Sequence, residues 1–92
     1  MIRSFRSKAT ERLFQRIPGK FPIDIQRPAL RKLLLLDAAK MIDDMRVPPG
    51  NRLEKLSGNR QGQYSIRVNN QWRICFRWLG SDAYDVELVD YH

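Results

Sequence analysis

Residues 63–78 read QYSIRVNNQWRICFRW, and their alternation decides the fold. Before the Asn69-Asn70 pair, Tyr64, Ile66 and Val68 alternate with Gln63, Ser65 and Arg67. After it, Trp72, Ile74, Phe76 and Trp78 alternate with Gln71, Arg73, Cys75 and Arg77. A period of two is the signature of a half-buried strand, and Asn-Asn between two such runs signals a hairpin. One face of this hairpin is apolar and needs cover. The other carries arginines.

Working outward, RLEKL (52–56) reads as a short strand followed by the turn SGNRQG (57–62). LGSD (79–82) turns the chain again, and AYDVELV (83–89) makes a last strand with Tyr84, Val86 and Leu88 inward. The cover comes from the N-terminal half. SKATERLFQRI (7–17) is a helix capped by Ser7, with Ala9, Leu13, Phe14 and Ile17 along one stripe, and PGKFP (18–22) stops it. A second helix begins between Pro22 and Pro28 and runs to about Met45, ending before VPPGN (47–51). Pro28 fits its first turn, where a missing N–H is harmless, and Leu30, Leu33, Leu34, Met41, Ile42 and Met45 supply its apolar face. MIRSF (1–5) is long enough for an edge strand. The expected architecture is α+β: two N-terminal helices packed on a mainly antiparallel sheet of four to five strands, forming a single domain over residues 1–92.

Ninety-two residues hold one modest core, and the 42% hydrophobic content suffices for it. The formal net charge is +7, and 12 of the 17 cations are arginine, whose planar fork grips phosphate bidentately. Residues 1–36 carry nine basic and two acidic groups, 51–78 carry six and one, and 79–92 carry none and four. That balance points to a polyanionic partner. It also places the acidic last strand beside the basic QWRICFRW, where its charge is compensated. No apolar run approaches the roughly 20 residues needed to span a bilayer. The charged start without an apolar stretch is not a secretory signal, and a single cysteine suits a reducing cytoplasm; Cys75 reads as a small strand hydrophobe.

Several chemistries are excluded. One histidine and one cysteine give no metal-ligand spacing, SGNRQG is not a phosphate loop, and nothing resembles a nucleophile elbow. The alternating Asp85 and Glu87 read as a solvated face, so a glycosidase pair is not expected. What remains is a polar strand face with Arg67, Arg73 and Arg77, and Asp90-Tyr91-His92 beyond it. Phosphodiester cleavage in RNA suits that set, because the ribose 2′-hydroxyl supplies the nucleophile. His92 could act as general acid or base, and Asp90 could orient it or serve as base itself. Arg73 could stabilise charge on the phosphate, and Tyr91 offers a stacking face. Taken alone, these residues are a weak signal.

The stretch PPGNRLEKLSGNRQGQYSIRVNNQWRICFRW (48–78), followed by DAYDVELVDYH (82–92), resembles the HigB family of toxins within the RelE superfamily. The resemblance covers nearly the whole chain and is strongest over 48–92. It implies the RelE-like microbial-ribonuclease fold. It also implies a ribosome-dependent endoribonuclease that cuts mRNA in the 30S A site, and a HigA-like helix-turn-helix antitoxin as partner. The implied setting is the cytoplasm, with no cofactor and no membrane. By motif, Arg73, Asp90, Tyr91 and His92 match the catalytic positions, while Lys55, Ser57, Arg60, Arg67 and Gln71 fall to RNA or ribosome contact. Some relatives carry a histidine and a lysine where this chain has Glu54 and Ser57. Lys55 points the opposite way from Glu54 on a strand. Two other readings stay open: a RelE/ParE-like toxin that blocks a protein target without cutting RNA, and a nucleic-acid-binding module without catalysis.

Overall fold

The fold was obtained as a computed structural model, which describes residues 1–17 and 19–91. Its elements run α1 (Lys8–Phe14), α2 (Ile23–Ala38), β1 (Glu54–Lys55), β2 (Tyr64–Arg67), β3 (Trp72–Leu79) and β4 (Asp82–Asp90), with short 3-10 turns between α2 and β2. The four strands form one antiparallel sheet in the order β1-β2-β3-β4. The expected hairpin joins β2 to β3. Asn69 Oδ1 accepts from the backbone N–H of both Gln71 and Trp72 at 2.8 Å, an Asx-type contact that closes the turn.

MIRSF forms no full strand. Instead Ile2 and Phe5 make isolated parallel bridges to Ala83 and Val86 on the outer edge of β4. Arg3 N–H donates to the Ala83 carbonyl at 2.8 Å and Arg6 N–H to the Val86 carbonyl at 3.0 Å. The edge that β4 would otherwise leave open is thereby covered.

The core lies between α2 and the sheet. Ile25, Ala29, Leu33 and Leu36, spaced by three and four, are buried against Ile66, Ile74, Phe76, Val86 and Leu88. This stripe differs from the expected one: Leu34 and Met41 are exposed, and so is Ile17. Helix α1 ends at Phe14, three residues short of Ile17. Its Ser7 cap accepts from Thr10 N–H as expected, and buried Thr10 carries a further link, its Oγ1 accepting from Leu88 N–H at 3.0 Å. That bond ties α1 to β4.

Helix α2 starts at Ile23, directly after Pro22, so Pro28 falls in the second turn and not the first. The packed stripe on either side of it holds the helix continuous. Its end also differs from the expected Met45. Ala39 leaves the helix with ψ 139°, and Asp44 Oδ2 accepts from Lys40 N–H (2.9 Å) and Met41 N–H (3.2 Å). These bonds start a separate 3-10 turn, Ile42–Arg46, and hold the Asp44 carboxyl below its ordinary range.

A bulge corrects the expectation for β4. Cys75 pairs with Glu87 but Arg77 pairs with Tyr84, so the register shifts between them, and Asp85 sits at φ 53°. The extra residue reverses the parity. Ala83 enters the core, and Tyr84 moves to the face of its register partner Arg77.

Candidate active site

Strand register sorts the chemistry. The pairs Glu54–Ser65, Ser65–Cys75, Arg67–Arg73 and Cys75–Glu87 put these residues on the sheet face turned away from the helices. Trp72–Asp90 and Ile74–Leu88 belong to the helix side. Arg73 sits at the end of β3 nearest the β2–β3 turn, on the polar face.

Its guanidinium is fixed from three directions. Nε donates to Ser65 Oγ at 2.9 Å, and Nη2 donates to the Arg52 carbonyl at 2.8 Å. Nη2 also lies 3.6 Å from Glu54 Oε1, and the side chain is only 11% exposed. Cζ stands 5.8 Å from the centroid of the Tyr91 ring, within cation–π range. Two of these partners are neutral oxygens, and the charged one, Glu54, is itself 55% exposed to solvent. Such a preorganised donor suits charge that develops during a reaction.

The supports trace back to local chemistry. Arg52 follows a 3-10 turn, Pro49–Asn51, and adopts φ 45°, a region a non-glycine residue enters only when held there. Asn51 does the holding. It is fully buried, and its Nδ2 donates to the carbonyls of Met45 (3.1 Å) and Val47 (3.3 Å). Its Oδ1 accepts from Lys32 Nζ, an amine whose pKa is lowered by burial first and by neighbouring Arg31 second. On the other side, Tyr91 N–H donates to the Gln71 carbonyl at 2.7 Å, extending the ladder one residue past β4 and keeping the ring beside Arg73.

The remaining expected residues divide. Asp90 is at the same strand end, but its register partner is Trp72, and its Oδ2 accepts from Gln71 Nε2 at 2.9 Å. Gln71 is thus engaged with Asp90. Arg67 folds back on its own turn, with Nε donating to the Asn69 carbonyl at 3.3 Å and Nη2 to Asn70 Oδ1. Arg60 is drawn to the middle of the polar face by Gln63 Oε1 (3.2 Å) and Glu87 Oε1 (3.5 Å). Lys55 and Ser57 are exposed, Lys55 pairing with Tyr64 and so opposite in face to Glu54. His92 lies outside the described residues.

The acidic strand is compensated from other elements than expected. Asp82 pairs with Arg3 (3.2 Å) and the N-terminal amine (3.3 Å), and Glu87 with Arg60. Glu87 is thereby half-buried and paired, and does not belong to a solvated face. Cys75 is buried beneath these charges, and burial pushes its thiol pKa up, the setting of an inert cysteine. Among the described residues, no group of three His, Cys, Asp or Glu could hold a metal ion, and no helix is long and apolar enough to cross a membrane.

Sequence reasoning missed Ser65, the Arg52 carbonyl, Asn51 and Glu54 as Arg73's surroundings. Ser65 shares the parity of Arg67 and was in principle readable. The carbonyl was not, since it depends on one left-handed residue.

Comparison with known proteins bears on this arrangement. Residues 3–92 match the model of a family described as RelE-like toxin of type II toxin-antitoxin system HigB. The chain is 40% identical over 90 residues to Toxin HigB-1 of Vibrio cholerae serotype O1, covering 96% of this chain and 95% of that protein. It is 33% identical over 97 residues to Endoribonuclease HigB of Proteus vulgaris, with both proteins fully covered. Among solved structures, the YoeB-YefM complex from Staphylococcus aureus superposes with a TM-score of 0.62 at 20% identity, over 100% of this chain and 98% of that one. At that identity the likeness speaks for the fold alone.

Proposed function

Because the chain belongs to the HigB-like family of RelE-like toxins of type II toxin–antitoxin systems, we propose that it is an endoribonuclease that cuts translated mRNA in the ribosomal 30S A site. The observation that carries this reading is the anchored, nearly buried Arg73 guanidinium beside the Tyr91 ring. The name of the Proteus vulgaris relative, an endoribonuclease, supports it. The RNA 2′-hydroxyl attacks the adjacent phosphorus, and Arg73 stabilises the charge gathering on the phosphate oxygens. Tyr91 stacks on a base. His92, the group whose ordinary pKa lies near neutrality, handles protons, and Asp90 orients or polarises it. Lys55, Ser57, Arg60, Arg67 and Gln71 contribute to the surface that meets RNA and ribosome; the net charge of +7 draws that surface to phosphate. A cognate antitoxin, a HigA-like helix-turn-helix protein, restrains the activity, and the cytoplasm is its place of action.

Primer extension on a translated mRNA, with and without ribosomes, tests the reading. New 5′ ends inside codons that appear only with ribosomes are the expected result. Intact mRNA under soluble, growth-arresting expression would instead favour a toxin that blocks a protein target. His92→Ala should lower the cleavage rate by about 10²–10⁴-fold. It should leave the melting curve nearly unchanged, since the residue follows the last ladder pairs.

A further inference from the structure

Glu54 is the single acidic residue among the seven charged positions of 51–78. Register places it with Ser65 on the polar face, and its Oε1 lies 3.6 Å from Arg73 Nη2. A carboxylate at the end of the face that collects phosphate works against RNA binding. Its presence is explained if a proton must be removed where negative charge then builds up. Building on the ribonuclease reading above, we infer that Glu54 is the general base of the cleavage, accepting the 2′-hydroxyl proton of the RNA.

Three observations separate Glu54 from the other acids. Its side chain is 55% exposed on a two-residue edge strand, whereas Arg73 is 11% exposed, so the carboxylate reaches solvent and substrate while its neighbour stays fixed. At 3.6 Å from Arg73 Nη2 the carboxylate stands within ion-pair range, so a proton taken there is removed beside the guanidinium that meets the phosphate. The competitors are less accessible or lie elsewhere: Glu87 is 22% exposed against Arg60, Asp82 is 20% exposed against Arg3, and Asp90 lies on the helix side of the sheet.

The step balances. Glu54 takes the proton from the 2′-oxygen as the bond from that oxygen to phosphorus forms. The bond from phosphorus to the 5′-oxygen breaks, and the leaving oxygen receives a proton from a general acid, the role proposed for His92. The products are a 2′,3′-cyclic phosphate and a 5′-hydroxyl end, and Glu54 returns its proton to water. Arg73, alongside, faces the phosphate oxygens as their charge rises.

Single-turnover cleavage on mRNA-programmed ribosomes, as a function of pH, tests the assignment. E54Q keeps an oxygen acceptor for Arg73 but cannot take a proton at neutral pH. It should cleave about 10²-fold or more slowly with its melting curve unchanged. E54H should recover much of the rate, with the acid limb of its profile moved up toward the imidazole range, about 6.5. Cleavage by E54Q as fast as wild type, or faster, would overturn the proposal and leave Glu54 a brake on Arg73. An E54H profile superimposable on the wild type would also overturn it. If wild type itself left the mRNA intact, both this assignment and the ribonuclease reading would fall, whereas the first two results spare the latter.

Discussion

Arg73 and Arg60 share one sheet face, one chemistry and one origin in a basic stretch, yet their surroundings differ. Arg73 is bonded to neutral oxygens of Ser65 and Arg52, with the exposed Glu54 carboxylate at 3.6 Å. Arg60 lies against Glu87 at 3.5 Å with Gln63 alongside, and both charged partners are less than one-third exposed. Counting arginines treats the two alike, whereas pairing separates them. Both guanidiniums have a carboxylate at about the same distance. Glu54 is 55% exposed and screened by solvent whereas Glu87 is 22% exposed, so the field of Arg60 is the more fully cancelled before RNA arrives. The difference assigns Arg73 to chemistry and Arg60 to the face itself, with a minor part in binding.

The largest expected effect lies at Arg73. Removing one preorganised donor typically costs about 10²–10³-fold in rate, so Arg73→Ala should be nearly inactive. Arg73→Lys should also fail by at least about tenfold, because a single ammonium cannot bridge Ser65 and the Arg52 carbonyl as the planar fork does. Full activity of the lysine variant would break the comparison, since charge alone would then be enough.

An intermediate effect is expected at Asn51, which holds Arg52 in its left-handed conformation. Asn51→Ala leaves the Met45 and Val47 carbonyls without a buried donor, costing about 1–3 kcal/mol. The melting temperature should fall by about 4–8 °C for each kcal/mol lost. Cleavage measured below the transition should fall as well, because the carbonyl that steadies Arg73 is loosened. A stability loss with unchanged cleavage would mean that Arg73 does not need that carbonyl.

The smallest effects should come from the Arg60 pair. Arg60→Ala should weaken ribosome or RNA binding only slightly, lowering the salt slope by less than the roughly one unit expected for a full phosphate contact. Glu87→Gln should release Arg60 and tighten binding at low salt. Weaker binding by Glu87→Gln would show that the ion pair orients Arg60 and does not cancel it.

The elements with strong alternation were legible from sequence. The β2–β3 hairpin, the Ser7 cap and the sheet with two preceding helices all follow from period and capping chemistry. The misreadings share a cause: a single local contact that no period encodes. Asp44 accepting two backbone N–H groups ends α2 early and removes Met41 from the core stripe. One left-handed residue, Asp85, reverses the parity of β4 and exchanges Tyr84 for Ala83 in the core. Thr10 stands outside the stripe that the sequence predicts for α1, and its link to Leu88 N–H spans 78 positions. At the candidate site the alternation of β3 places Arg73 on the polar face, but it does not say which side of the sheet Asp90 takes. Arg73, near the start of β3, and Asp90, at the end of β4, stand at the same end of the sheet, yet register divides them between its two sides.

The division between Arg73 and Arg60 is tested most directly by single-turnover cleavage on programmed ribosomes over a range of toxin concentrations. Wild type, Arg73→Ala and Arg60→Ala would be measured side by side. Arg60→Ala should reach the wild-type rate at saturation and need only slightly more protein to do so. Arg73→Ala should plateau about 10²–10³-fold lower however much protein is added. Equal plateaus for the two variants would contradict the account, because the neutral-oxygen anchoring of Arg73 would then confer no special role in the chemistry.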